Sequence, residues 1–109
     1  MLGARYLLPK AVRIFSRSTL AAFWKKYPDA EQPLRAWFHE VEKAAWRGPA
    51  EIRARYRSAD FVAGDRVVFN VRGNNYRLIV AVKYGPLFLV FVRFIGTHAE
   101  YDEVDAAAI

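Results

Sequence analysis

Residues 66–102, RVVFNVRGNNYRLIVAVKYGPLFLVFVRFIGTHAEYD, constrain the fold of this chain more than any other stretch. Their first half alternates with the period of two that a half-buried strand requires. Gly73-Asn74 interrupts it with two residues that tolerate positive φ, the signature of a two-residue hairpin turn. That turn predicts a register in which Asn70 faces Arg77, Val71 faces Tyr76, Phe69 faces Leu78 and Val67 faces Val80. One face then carries Phe69, Val71, Leu78 and Val80, to be covered by helices. The other carries Arg66, Asn70, Arg72, Arg77 and Lys83 around a floor of Val68, Ile79 and Ala81. A slip of one residue would bury the cations, so the pattern enforces its register.

A second turn falls around Gly85-Pro86. The third strand, over residues 87–95, is nearly all apolar, as in a strand covered on both sides. Whether Arg93 joins the cationic face depends on a two- or three-residue loop at Gly85-Pro86, which sequence leaves open. Residues 96–102, GTHAEYD, leave the sheet, and Thr97 or Asp102 can cap a turn there.

Charge says what such a sheet would meet. Between Arg66 and Ala99 stand five basic residues and no acid, and the whole chain carries a net charge of +6. That balance favours anionic partners: nucleic acid, an acidic protein or a membrane surface. Its 109 residues suit one small domain. Without cysteine, disulfides and thiolate metal sites are excluded. No apolar run approaches the ~18 residues of a membrane span, so the expected compartment is the cytoplasm.

Ahead of the sheet the pattern is helical. Val12–Phe15 alternates as a short strand, and Ser16 and Ser18 are N-cap candidates. A helix over residues 19–27 aligns Leu20, Phe23, Trp24 and Tyr27, and Pro28 stops it. Asp29 and Gln32 have the spacing of a capping box for a second helix. That helix buries Leu34, Trp37, Phe38, Val41, Ala44 and Ala45, and Gly48-Pro49 ends it. Residues 50–57 form a third helix or an extended arm. Their arginines, with Arg47, read more readily as a solvated surface than as a second phosphate patch. Residues 58–65 read as a loop. Residues 1–11, MLGARYLLPKA, are expected to be an extension outside a domain spanning residues 12–109. Tyr6-Leu7-Leu8 is shorter than the ~7–15 residues of a signal core.

The chemistry open to these residues is limited. RNA is cleaved by its own 2′-OH when a base takes that proton, an acid protonates the leaving oxygen and cations neutralise the phosphate. His98 offers an imidazole, the usual proton-transfer group, Tyr101 stands three residues on, and Arg66, Arg77 and Arg93 can fork phosphate oxygens. Yet loop histidines more often serve structure, and Tyr101 could simply anchor the last loop. On pattern alone, nucleic-acid binding is favoured over catalysis. His39 reads as a surface residue, and two distant histidines without a thiol make no metal-ligand set.

Read in order, VRIFSRSTL, FWKKYPDAEQPLRAWF, SADF, DRVVFNVRGNNYRLIV and VRFIGTHAEYD resemble the HigB-type toxins of type II toxin–antitoxin systems, a RelE-like family. The resemblance runs from residue 12 to the C-terminus. It implies an α+β fold, with two to three helices on one face of a small twisted antiparallel sheet. It also implies a metal-independent, cofactor-free endoribonuclease that cuts mRNA on the translating ribosome. A HigA-type helix-turn-helix antitoxin would neutralise it. Under that implication His98, Tyr101, Arg77 and Arg93 are catalytic, and Arg66, Asn70, Arg72 and Lys83 bind RNA. The competing expectation is a non-catalytic RNA- or ribosome-binding module on the same scaffold.

Overall fold

Among the described residues, five strands form one sheet in the order β1-β5-β4-β3-β2. The computed structural model describes residues 12–44 and 46–109. The expected extension over residues 1–11 and the stripe residue Ala45 therefore lie outside the described residues. The strands are β1 (Val12–Phe15), β2 (Asp60–Val62), β3 (Arg66–Val71), β4 (Tyr76–Lys83) and β5 (Phe88–Thr97). β2 to β5 are successively antiparallel, whereas β1 joins β5 in parallel. The expected α+β fold with an antiparallel sheet is present, and β1 adds a parallel strand at one edge. A parallel pairing needs a long crossover, and the helices between β1 and β2 lie on that path.

The hairpin pairs as its turn predicts, with Asn70 opposite Arg77, Val71 opposite Tyr76, Phe69 opposite Leu78 and Val67 opposite Val80. At the turn itself, positive φ falls on Arg72 (53°) and Gly73 (65°). β5 is longer than expected. Gly96 and Thr97 stay in the sheet, opposite Arg77 and Tyr76.

Helices α1 (Arg17–Lys26), α2 (Glu31–Lys43) and α3 (Pro49–Arg55) precede the sheet's main hairpin, and α4 (His98–Tyr101) follows β5. α1 begins earlier than residue 19 because Ser16 turns the chain with φ 75° and its carbonyl accepts from Thr19 N at 3.0 Å; its hydroxyl makes no cap. The expected Asp29 cap does not form either, and Ala30 occupies the N-cap of α2. Asp29 accepts a hydrogen bond from the Tyr76 hydroxyl on β4 instead. A tertiary partner has outcompeted the local one. α2 ends at Lys43, five residues before Gly48, whose role is to precede Pro49 at the start of α3. Proline's fixed φ suits a first helical turn. Glu40 on α2 accepts from Arg55 and from the Tyr56 hydroxyl (2.8 Å), which holds α3 on α2. Burial, then that bond, push the Tyr56 hydroxyl well above its ordinary pKa. Within the expected loop, Asp60–Val62 pairs with β3 as an edge strand.

One core lies between helices and sheet. Leu20, Leu34, Val41 and Ile52 are fully buried against Phe69, Val71, Leu78, Val80 and Val90. Each such aliphatic side chain contributes roughly 1.5–3 kcal/mol through burial. Val68 and Ile79 are buried too, but outside that cluster, on the opposite face. No helix among the described residues is long and apolar enough to cross a membrane.

Candidate active site

The cationic face ends where β5 gives way to α4. Thr97 is the hinge between them. Its Oγ1 accepts from Glu100 N at 3.1 Å, while Glu100 Oε1 accepts from Thr97 N at 2.8 Å, a complete capping box. His98 N donates to Asn75 O at 3.2 Å, which ties the turn of α4 to the β3–β4 hairpin. A four-residue helix has little stability of its own; these bonds to both flanking elements hold it.

On this helix His98 and Tyr101 have ring centroids 6.5 Å apart, edge to face. The guanidinium of Arg77, on the neighbouring strand, lies 5.5 Å from the Tyr101 centroid. Its Nη1 donates to Asn74 O at 3.3 Å. Thus three of the four predicted catalytic residues converge. Asp102, seen in the sequence only as a possible cap, places Oδ2 3.3 Å from His98 Nδ1. The signal was a His/Asp pair at i and i+4, which meets only when the segment is helical. His98 and Asp102 side chains remain 45% and 59% exposed, so a substrate can reach them.

Arg93 is settled by the register that leaves the Gly85-Pro86 loop: Lys83 to Val80 pair in step with Leu89 to Val92, which puts the next residue, Arg93, on the Ile79 face, and a β-bulge follows there. Ile79 pairs with Phe94, but the next residue, Val80, pairs with Val92, leaving Arg93 as the extra residue. A bulge of this kind re-aims a side chain. Arg93 is exposed and lines a cleft of about 330 Å³ with Arg66, Lys83, Phe91, Ala81, Val82, Gly64 and Asp65. It belongs to the cationic face, between Arg77 and the Lys83 end. From Arg77 to Lys83 along β4 is ~20 Å at ~3.3 Å per residue.

The remaining expected RNA-binding residues divide. Asn70 is exposed opposite Arg77. Lys83 is exposed at the cleft. Arg66 is held by protein, donating from Nη1 to Gly64 O and from Nη2 to Ile109 O at 3.2 Å. Arg72 leaves the face. Its left-handed backbone sends Nε to 3.4 Å from Asp29 Oδ2, beside the Tyr76–Asp29 hydrogen bond on the helix side. That bond, with burial and the Asp29 charge, raises the Tyr76 pKa. Of the arginines near α3, Arg55 is bound to Glu40 and Arg53 lies 4.8 Å over the Phe61 ring.

An imidazole, its carboxylate partner, a phenol and a guanidinium therefore stand at one end of a cationic groove. Such a set can move protons at a phosphodiester and neutralise the charge that develops on it. Arg93 and Lys83 continue the positive charge along the groove.

The family model HigB_toxin, described as the RelE-like toxic component of a toxin–antitoxin system, matches residues 30–104. An mRNA interferase HigB of Escherichia coli O6:H1 is 27% identical over 95 residues, covering 85% of this chain and 91% of that protein. An mRNA interferase toxin HigB of Escherichia coli strain K12 is 30% identical over 93 residues, covering 84% and 88%. The mRNA interferase HigB of Shigella flexneri matches to the same extent.

Proposed function

Since the chain belongs to the HigB family of RelE-like toxins, an mRNA-cleaving toxin component of a toxin–antitoxin system, we propose that its cutting site is the His98–Tyr101–Arg77 cluster and needs no metal. The convergence of these three residues at the β5–α4 junction carries the reading.

The reaction is a transesterification on the RNA itself. The ribose 2′-OH loses its proton and its oxygen forms a new P–O bond. The bond from phosphorus to the 5′-oxygen breaks, and that oxygen takes a proton. The products are a 2′,3′-cyclic phosphate and a 5′-hydroxyl end. His98 serves as the general base or acid, oriented by Asp102 at 3.3 Å. Tyr101 supports proton transfer. Arg77 sits where its forked donors would meet the phosphate's non-bridging oxygens. Arg93, Lys83 and Asn70 hold the strand beyond the cut. Arg66 acts there only if the contact to Ile109 opens.

The family gives the toxin an antitoxin partner and an RNA target. We further take the antitoxin to be of the HigA helix-turn-helix type, the mRNA to be cut on the translating ribosome, and the compartment to be the cytoplasm. Residues 12–109 are taken as the toxin domain, which contains the whole of the family match over residues 30–104, and residues 1–11 as an extension to it. The test is the end chemistry of mRNA fragments made by wild type and by His98→Ala in a translation reaction. New 5′-hydroxyl ends with wild type alone support the reading. Binding without cutting by either protein would make the chain an RNA- or ribosome-binding module instead.

A further inference from the structure

The bulge at Arg93 brings the next residue, Phe94, onto the cationic face beside it, and nothing in the cleavage step uses that ring. Phe94 pairs with Ile79, on the face away from the main core, and stands two residues before Gly96, the partner of Arg77. The ring reaches over Gly96: a Cβ built there would meet Phe94 Cζ at 2.5 Å. Phe94 is partly exposed and has no aromatic partner among the described residues, whereas Phe23, Phe69 and Phe88 each pack against other rings. In sequence along β5, an unpaired ring is thus flanked by Arg93 on one side and by the Arg77 position on the other.

We propose that Phe94 is a base-stacking residue: it receives the base of the nucleotide next to the scissile phosphate, while Arg77 takes that phosphate and Arg93 the neighbouring one. The placement of the scissile phosphate rests on the cleavage reading above. The chemistry is that of single-strand binders, in which a cationic groove follows the backbone and an aromatic ring takes a base. Every base offers a π-face, so this contact fixes the position of the phosphate over His98 without selecting the base. The alternative role is steric, a ring that merely shields Ile79 and the Gly96 backbone. A leucine would fill that role nearly as well.

Phe94→Leu and Phe94→Trp in the full chain separate the two roles. One readout is the affinity for a fluorescent 2′-O-methyl oligoribonucleotide, which lacks the attacking hydroxyl and cannot be cut. The other is the yield of cut mRNA. Stacking predicts that Phe94→Leu weakens oligonucleotide binding roughly tenfold or more, while Phe94→Trp binds at least as well as wild type. Cut mRNA follows the same order, with wild-type unfolding midpoints for both variants. Binding by Phe94→Leu within about twofold of wild type overturns the proposal, as does a Phe94→Trp protein that folds and binds poorly, or a wild type that does not bind. Should Phe94→Leu fail to fold, the tryptophan variant decides alone. If wild type leaves mRNA uncut yet binding still depends on the ring, the stacking role stands and the cleavage reading falls.

Discussion

The Arg77 guanidinium lies 5.5 Å from the centre of the Tyr101 ring, and this contact joins the sheet's central hairpin to the single helical turn that follows its last long strand. It places a fixed cation beside the only phenol on α4. Arg77→Ala should lower the cleavage rate about 10²–10³-fold, the effect of losing one donor aimed at developing charge. Arg77→Lys keeps the charge but loses the fork, so it should fall between that variant and wild type. Single-turnover cleavage of translated mRNA measures both.

Asp102 is expected to matter through His98. Asp102→Asn keeps the shape but removes the carboxylate 3.3 Å from Nδ1, which leaves the imidazole less firmly oriented. Cleavage should fall, yet by less than the ~10²–10⁴-fold expected for loss of the proton-transferring group itself. The ratio of rates for Asp102→Asn and His98→Ala is the measurement. Equal rates for wild type and Asp102→Asn would remove Asp102 from the site.

Gly96 is required by close approach rather than by φ. In Gly96→Ala the new methyl would stand 2.5 Å from Phe94 Cζ and 2.9 Å from Glu100 Oε1. Both are ends of side chains, so the fold can adjust at a cost of about 1–3 kcal/mol. Adjustment displaces the Phe94 ring and strains the capping box of α4. Activity should therefore drop further than the unfolding midpoint does, as parallel assays of one preparation would record.

Tyr76 links stability to alkaline pH. Its hydroxyl donates to Asp29, and this bond raises its pKa above the ordinary tyrosine value. A group whose pKa is higher folded than unfolded contributes its stabilisation fully below the unfolded value of ~10, and that contribution is lost as pH rises through the folded value. Wild type should exceed Tyr76→Phe in stability by a constant margin at neutral pH. The margin should shrink as pH climbs past ~10. Denaturant melts of both proteins across pH 7–11 check the sign.

The parts of this structure that were legible in the sequence are those with a strong local signal. Gly73-Asn74 and the alternation around it specify the hairpin register, because only one register keeps Arg77 and Asn70 out of the core. The Thr97 cap was legible from residue type. Arg93 was not, because residues 87–95 are almost uniformly apolar and give no alternation from which the register across the Gly85-Pro86 loop could be read. Asp29 misled for a different reason. Its local cap was real chemistry, but Tyr76 and Arg72, distant in sequence, offered better partners. The same contact took Arg72 off the cationic face. Asp60–Val62 has three residues, too few to show a period. At the site, His98, Tyr101 and Arg77 followed from the strand's exit and the hairpin register, whereas Asp102 emerged only once residues 98–101 were seen to be helical.

If this toxin cuts mRNA through His98, the cuts must appear when RNA 5′ ends are mapped after induction of wild type and be lost after induction of His98→Ala. Wild type should produce new 5′-hydroxyl ends within coding sequences, and a folded His98→Ala protein should produce none above background. The same ends at the same yield from His98→Ala, or no new ends from wild type, would contradict cutting through His98.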